Sequence, residues 1–325
     1  MGSNSALFEV LERWLQRQLT PQWGASYQPA IRAVRGEAPK SSSAYLVTWK
    51  KMGRDLHGLS TTEYFALLLA LFCPWLLDIL EQRVLWPWAT PHPLEGSPYY
   101  SGAVALPGMP GILAVAKAIG QVDQLVKVTT PAARTKSGKA STMPMPMLSD
   151  HLLFLADKSG PYCVNWTIKL DRRSFEIPSF GSIRYKKSAA GIYREAFRHT
   201  TERENYVAAG IRTQQICADD FNTEVFNNLQ WIYSAGEPEL KQTAALNDLE
   251  GRLLYGLDAR IPPLASFEAV MHRYGCKFEY CTAVARAMIW TRRLQVDLYS
   301  AVLWDRPLKP MTRDVLEHYA SWFRR

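Results

Sequence analysis

The stretch SDHLLFLADKSGPYCVNWTIKL, residues 149 to 170, constrains the fold more than any other part of the chain. Two apolar runs of strand length joined by a short turn predict a β-hairpin. In its second strand, alternation puts Val164, Trp166 and Ile168 on one face and Asn165, Thr167 and Lys169 on the other. The first face belongs in a core. The second is polar yet lies beside LLFLA, an apolar run, so its groups must line a cleft or pair with something. Asp150, at the entrance of the first strand, is expected near Thr167 or Lys169 across the hairpin.

A chain of 325 residues is comfortable for two domains, and 47% apolar residues exclude a wholly disordered one. The 38 basic and 30 acidic residues leave a net charge of +8, which suits a polyanionic partner. Five cysteines, odd in number and scattered, read as reduced thiols rather than a disulfide framework. Cys276 and Cys281 have no second pair at ligand spacing, so they read as small buried residues on a helix rather than a zinc site. The longest apolar run, residues 64 to 80, contains Pro74 and is too short to span a bilayer, so it reads as a buried helix. The first residues form an amphipathic helix without the apolar core of a signal peptide. A cytoplasmic protein with no membrane partner is the expectation.

Along the chain, residues 24 to 43 read as loop and 44 to 60 as a lead into a helix capped by Ser60, Thr61 or Thr62. Glu63 then falls in the first turn, where a negative charge meets the positive end of the helix dipole. EQRVLWPW, from residue 81, reads as a strand ended by Pro87. Residues 90 to 147 are rich in Pro, Gly, Ser and Lys around one helical piece, ILAVAKAIGQVDQLVK, and read as an insertion. Its RTKSGK tip suits either a solvated loop or a phosphate contact. After the hairpin come a basic segment with Arg172, Arg173, Lys186 and Lys187, a helix over 189 to 209, and a short strand at 211 to 221. The rest is mostly helical, with an alternating stretch at 294 to 304.

An Asp, a turn, and a strand ending in x-Lys resemble the skeleton of the PD-(D/E)xK nuclease site. A surface salt bridge explains the same pair, and a third acid in the right context favours the site. The run DLHGLSTTEYFALLLALFCPWLLDILEQ, residues 55 to 82, resembles the N-terminal signature of the TnsA family, the endonuclease subunits of heteromeric transposases. His57, Leu59, Ser60, Glu63, Asp78, Ile79, Glu81 and Gln82 carry that likeness. Residues 202 to 234 resemble the segment that closes the family's catalytic domain, so the resemblance covers much of 45 to 235.

The resemblance implies an α/β fold: a restriction-endonuclease-like core over residues 1–221, with a mixed sheet flanked by helices, and a mostly helical, winged-helix-like domain over 222–325. It implies that Glu63 and Asp150 hold a divalent metal with the backbone carbonyl of Ile168, and that Lys169 is the catalytic lysine. Thr167, Glu81 and Gln82 stand as supporting residues, and Arg172, Arg173, Lys186 and Lys187 as contacts to the DNA backbone. Thr167 occupies the position where the family usually carries Gln or an acid. Mg²⁺ normally keeps several waters, so Asp150, Glu63 and a carbonyl suffice, with Mn²⁺ tolerated. The family also often carries a glutamate on the following helix, a place for which Glu195, Glu202 and Glu204 compete.

The implied activity is metal-dependent hydrolysis of double-stranded DNA at the 5′ ends of a transposon during cut-and-paste transposition. Implied partners are an integrase-class transposase subunit and an AAA+ ATPase regulator. The latter two are expected to dock on residues 265 to 305, where Arg286, Arg292 and Arg293 also suit a DNA backbone. Trp304 and Trp322 suit core or interface. Three other readings compete: a free-standing restriction or repair nuclease of the same fold, a degenerate scaffold that bridges transposase and DNA, and a purely structural pairing of Asp150 with Lys169.

Overall fold

The computed structural model describes residues 4–39, 43–102, 104–135, 138–175, 189–233 and 243–325. Lys186 and Lys187 lie outside the described residues, as do two positions of the RTKSGK tip. Helix α1 (Asn4–Gln18) turns Phe8, Leu11 and Trp14 inward at helical spacing. Where residues 44 to 60 were expected simply to lead into a helix, a hairpin stands instead. It consists of β1 (Tyr45–Trp49) and β2 (Arg54–Gly58), with Gly53 at a φ of 66° in the turn. Only a residue tolerant of the left-handed region closes that turn cheaply.

Helix α2 (Thr61–Phe72) starts at Ser60, whose hydroxyl accepts from the Glu63 backbone N–H at 3.1 Å. The apolar run that reads as one buried helix is divided. Pro74 cannot continue the helix, α2 ends before it, and the remainder becomes strand β3 (Leu76–Leu85). The insertion holds α3 (Ile112–Ala118) and a small ladder of β4 (Lys127–Thr130) with β5 (Ser141–Pro144). Then come the expected hairpin, β6 (Met147–Asp157) and β7 (Gly160–Lys169), the helix α4 (Ala189–Val207) and β8 (Arg212–Cys217).

The central sheet is mixed, in the order β3-β6-β7-β8, with β8 parallel to β7 and the other pairs antiparallel. Edge strand β3 is covered rather than left open. The Gln18 amide imitates a neighbouring strand, accepting from Val84 N at 2.8 Å and donating to Gln82 O at 3.1 Å. Ala30 N also donates to Gln82 O.

Alternation in β7 is as expected. Val164, Trp166 and Ile168 enter a core with α2, α5 (Thr223–Ile232) and the C-terminal helices. Cys163, in the opposite face, packs with Leu152 and Phe154 of β6 and with Phe197 and Tyr206 of α4.

Residues 244 to 290 form α6 (Ala244–Ala259), α7 (Pro263–Tyr274) and α8 (Phe278–Trp290). Residues 294 to 304, expected to alternate as a strand, make turns and a single bridge between Val296 and Pro310. Asp297 is the cause, since its carboxylate accepts from Tyr299 N and from the Ser300 hydroxyl and so competes with a ladder. The last residues return to the sheet: Trp166 Nε1 donates to Trp322 O at 2.8 Å, and its ring meets Trp322 and Phe323 edge-on. Trp322 is thus a core residue, and Trp304 packs on Trp231 and Phe267. All five cysteines are free thiols; Cys281 is buried on α8, whereas Cys276 precedes that helix and is half-buried. Among the described residues, no helix is long and apolar enough to cross a membrane.

Candidate active site

The hairpin ladder of β6 with β7 ends at the pair His151 and Trp166, and the strands part beyond it. There a carboxylate replaces a backbone partner. Asp150 Oδ2 accepts from Ile168 N at 2.6 Å and from Lys169 Nζ at 3.0 Å. Lys169 Nζ also donates to Ile168 O at 2.7 Å. One ammonium therefore sits where a carboxylate oxygen and a backbone carbonyl converge, both of them oxygen donors of the kind a hard cation takes. Burial opposes the Asp150 charge, yet Lys169, Arg198 and the Ile168 N–H together hold its carboxyl below the usual aspartate range.

Glu63 reaches the same region from the start of α2. Its Oε2 accepts from Leu59 N at 3.0 Å and from Gln82 Nε2 at 3.1 Å, and its Oε1 from the Ser60 hydroxyl at 3.2 Å. The residue is 8% exposed. Burial first, then the Asp150 charge, push its pKa up to about 7. Gln82 presents its amide from a left-handed backbone with φ 51°, within β3 between the paired residues Glu81–His151 and Arg83–Ser149. A bulky residue in that region is strained, and such strain collects at functional sites.

Helix α4 closes the polar face of β7. Glu202 Oε1 accepts from Thr167 Oγ1 and from Asn165 Nδ2, each at 2.9 Å. Burial and then Asp150 raise its pKa to about 7 as well. Of the three glutamates that competed for the helix position, Glu202 is the one turned to this face; it is 2% exposed, whereas Glu204 pairs with Arg203. Glu202 lies one turn from His199 and Tyr206, both buried, so helical spacing selects it only once the buried side of α4 is known. His199 and His151 are buried and accept or donate no hydrogen bond at either ring nitrogen among the described residues, and burial lowers both to about 4.

Other sequence-picked residues go elsewhere. Glu81 turns to Arg54, which donates to both its oxygens at 2.8 and 3.0 Å, and forms a buried ion network with Asp78. Arg172 is tied to Asp220, and Arg173 is exposed. Arg292 and Arg293 of the C-terminal region pair with Asp314 and Glu250. Among the described residues, no group of three or more His, Cys, Asp or Glu side chains is set to hold a metal ion. No protein-family model matches the chain, and no curated protein does.

Two carboxyls with raised pKa values carry a stability consequence. Buried His151 and His199, lowered to about 4, make stability rise with pH towards the ordinary imidazole range. At Glu63 and Glu202 the folded state instead binds protons more tightly than the unfolded chain, so the contribution of these two carboxyls in the metal-free protein falls as pH rises from about 4.5 to about 7. Asp150, shifted down, contributes the reverse below the aspartate range. In EDTA the urea midpoint of wild type relative to that of the double variant Glu63→Gln, Glu202→Gln is expected to drop across that window, since the histidine contributions are common to both.

Proposed function

We propose that this chain is a metal-dependent DNA endonuclease of the TnsA type, the subunit of a heteromeric transposase that cuts the 5′ ends of the element. On this reading the mixed sheet is a restriction-endonuclease-like core, and the C-terminal helices are a winged-helix-like docking module. One observation carries the proposal: Lys169 Nζ lies on Asp150 Oδ2 and Ile168 O, beside a buried Glu63 whose charge Asp150 opposes. Asp150, Ile168 O and Glu63 would hold Mg²⁺ or Mn²⁺, which would neutralise charge on the scissile phosphate and lower the pKa of water.

The chain's own residues supply the rest. The Ile168 N–H fixes the Asp150 carboxylate, Gln82 and Leu59 fix Glu63, and Glu202 anchors Thr167 so that β7 keeps its polar face. Lys169 holds a proton-bearing cation where charge grows on the phosphate. Arg173 and the net charge of +8 suit contacts with the phosphate backbone.

A degenerate scaffold is the second reading, favoured by Thr167, a neutral hydroxyl whose Oγ1 donates to Glu202, at the position where the family usually carries Gln or an acid. Reconstituting excision with the proteins encoded beside this gene separates the two. Wild type with Mg²⁺ is expected to nick the 5′ strands, and Asp150→Ala to abolish nicking without loss of complex assembly. Nicking by Asp150→Ala at the wild-type rate sinks the site; assembly without 5′ nicking by wild type establishes the scaffold. Cleavage by the chain alone, with no partner, points to a free-standing nuclease.

A further inference from the structure

Beyond the pair His151 and Trp166, strand β6 has no partner in β7, and its residues Met147 to Ser149 pair with β3 alone. Helix α4 sends an arginine to that open side. Arg198 Nη2 donates to Leu148 O at 3.2 Å, two residues before Asp150 and one helical turn before Glu202. The Asp150 charge is kept against its burial by Lys169 first and by this guanidinium next.

Among the described residues that bond is the only one the Arg198 side chain makes, and it joins no ion pair. Glu202, placed at i+4 and so its natural partner, gives its carboxylate to Thr167 and Asn165 instead. A guanidinium carries N–H donors on every nitrogen in a planar fork, so a single bond leaves most of them unused. Arg198 is exposed, which puts that fork within reach of a ligand. Arg194, a turn earlier on the same face, is exposed as well and joins no ion pair among the described residues. Like charges at i and i+4 oppose one another on a helix, and an anion laid along that face would relieve them.

A lone carboxylate would answer one of these arginines. A phosphodiester strand answers both, because its negative charges recur and its oxygens suit the fork, and the same line leads on to Lys169 in the cleft. We infer that α4 is the track along which a DNA strand enters the carboxylate cleft, with Arg198 gripping a phosphate beside the one that is cut and Arg194 a phosphate further out. DNA as the strand rests on the nuclease reading. On this assignment Arg198 takes the backbone contact that Arg172, held by Asp220, does not make. Such a contact holds substrate and transition state alike, so its loss shows in DNA affinity more than in the saturated rate.

Fluorescence anisotropy of the full chain in the reconstituted complex, on duplex DNA bearing an element end and in EDTA so that nothing is cut, tests the track. Arg198→Gln is expected to weaken binding about tenfold and to lower the slope of log affinity against log salt by about one. Arg198→Lys keeps the charge without the fork, and is expected to restore the slope but little of the affinity. Duplexes carrying a single methylphosphonate, moved phosphate by phosphate through the element end, then locate the contact. At one position wild type is expected to lose about tenfold and Arg198→Gln nothing further. Losses that add at every position, or a salt slope that Arg198→Gln leaves unchanged, overturn the inference. These readings need no cleavage, so a wild type that never nicks defeats the nuclease reading and leaves the track standing. A wild type that nicks, beside an Arg198→Gln variant that binds normally, does the reverse.

Discussion

Replacing Lys169 with methionine is expected to lower 5′ strand cleavage by about a thousandfold while the chain stays folded. Methionine keeps the unbranched stem and removes the charge. In the native site that charge bridges Asp150 Oδ2 at 3.0 Å and Ile168 O at 2.7 Å, with the lysine side chain 19% exposed. The fold does not depend on it, because Asp150 keeps the 2.6 Å bond from Ile168 N and β7 keeps its pairing with β8 through Lys169 and Cys217. A role limited to a salt bridge predicts the opposite division: a small change in thermal stability, within about 1 kcal/mol, and unaltered cleavage. Lys169→Arg sharpens the test, since guanidinium keeps the charge but not the compact point geometry, and is expected to recover little. Single-turnover cleavage of DNA bearing the element ends, measured in the reconstituted complex, decides it; a wild-type rate for Lys169→Met removes the lysine from the chemistry.

The parts of this site legible in sequence are those that alternation and capping govern. Period-two alternation separated Trp166 from Thr167 because one face of β7 is apolar and the other is not. Glu63 was legible in two ways that turn out to be compatible. It fills the third position of a helix that Ser60 caps, and the same carboxylate accepts Gln82 Nε2 from β3. A helix start brings backbone N–H groups and a positive dipole end together, so a carboxylate can be both cap and cleft residue there.

What sequence left open depends on tertiary direction. Glu81 and Gln82 are neighbours in the same strand, yet the left-handed backbone at Gln82 sends its amide to Glu63 while Glu81 goes to Arg54. No local propensity predicts that turn of the chain, since the conformation is disfavoured for glutamine and survives only because the surroundings impose it. The β1–β2 hairpin was missed for another reason. Its turn, WKKMGR, carries charged residues within a segment that reads only as a lead into the next helix, and its pairing rests on Gly53 alone among local signals. Glu202 was one of three glutamates within a single helix, and the choice among them needed the rotation of α4 against β7, which packing fixes.

Arg54→Met is expected to cost about 3–5 kcal/mol of stability, the usual consequence of stripping one partner from a buried ion network. Arg54 is 6% exposed at its side chain, with Glu81 and Asp78 at 0%. It donates to both Glu81 oxygens and to the Ile79 carbonyl, and its guanidinium stands 5.1 Å from the Tyr27 ring centroid. Burial already raises the pKa of Glu81 and of Asp78, and Arg54 is the charge that opposes this for both. Without it, each carboxyl can escape its burial only by taking up a proton. The folded variant then binds protons more tightly than the unfolded chain, so its stability falls as pH rises above the ordinary carboxylate range. The loss should therefore be smaller at acid pH than at neutral pH, a dependence that a cavity alone would not produce. Adding Glu81→Gln and Asp78→Asn to Arg54→Met removes the stranded charges and is expected to recover a large part of the loss at neutral pH. Urea midpoints of the single and triple variants at two pH values decide it, and equal stability of Arg54→Met and wild type at both would show that this ion network does not stabilise the fold.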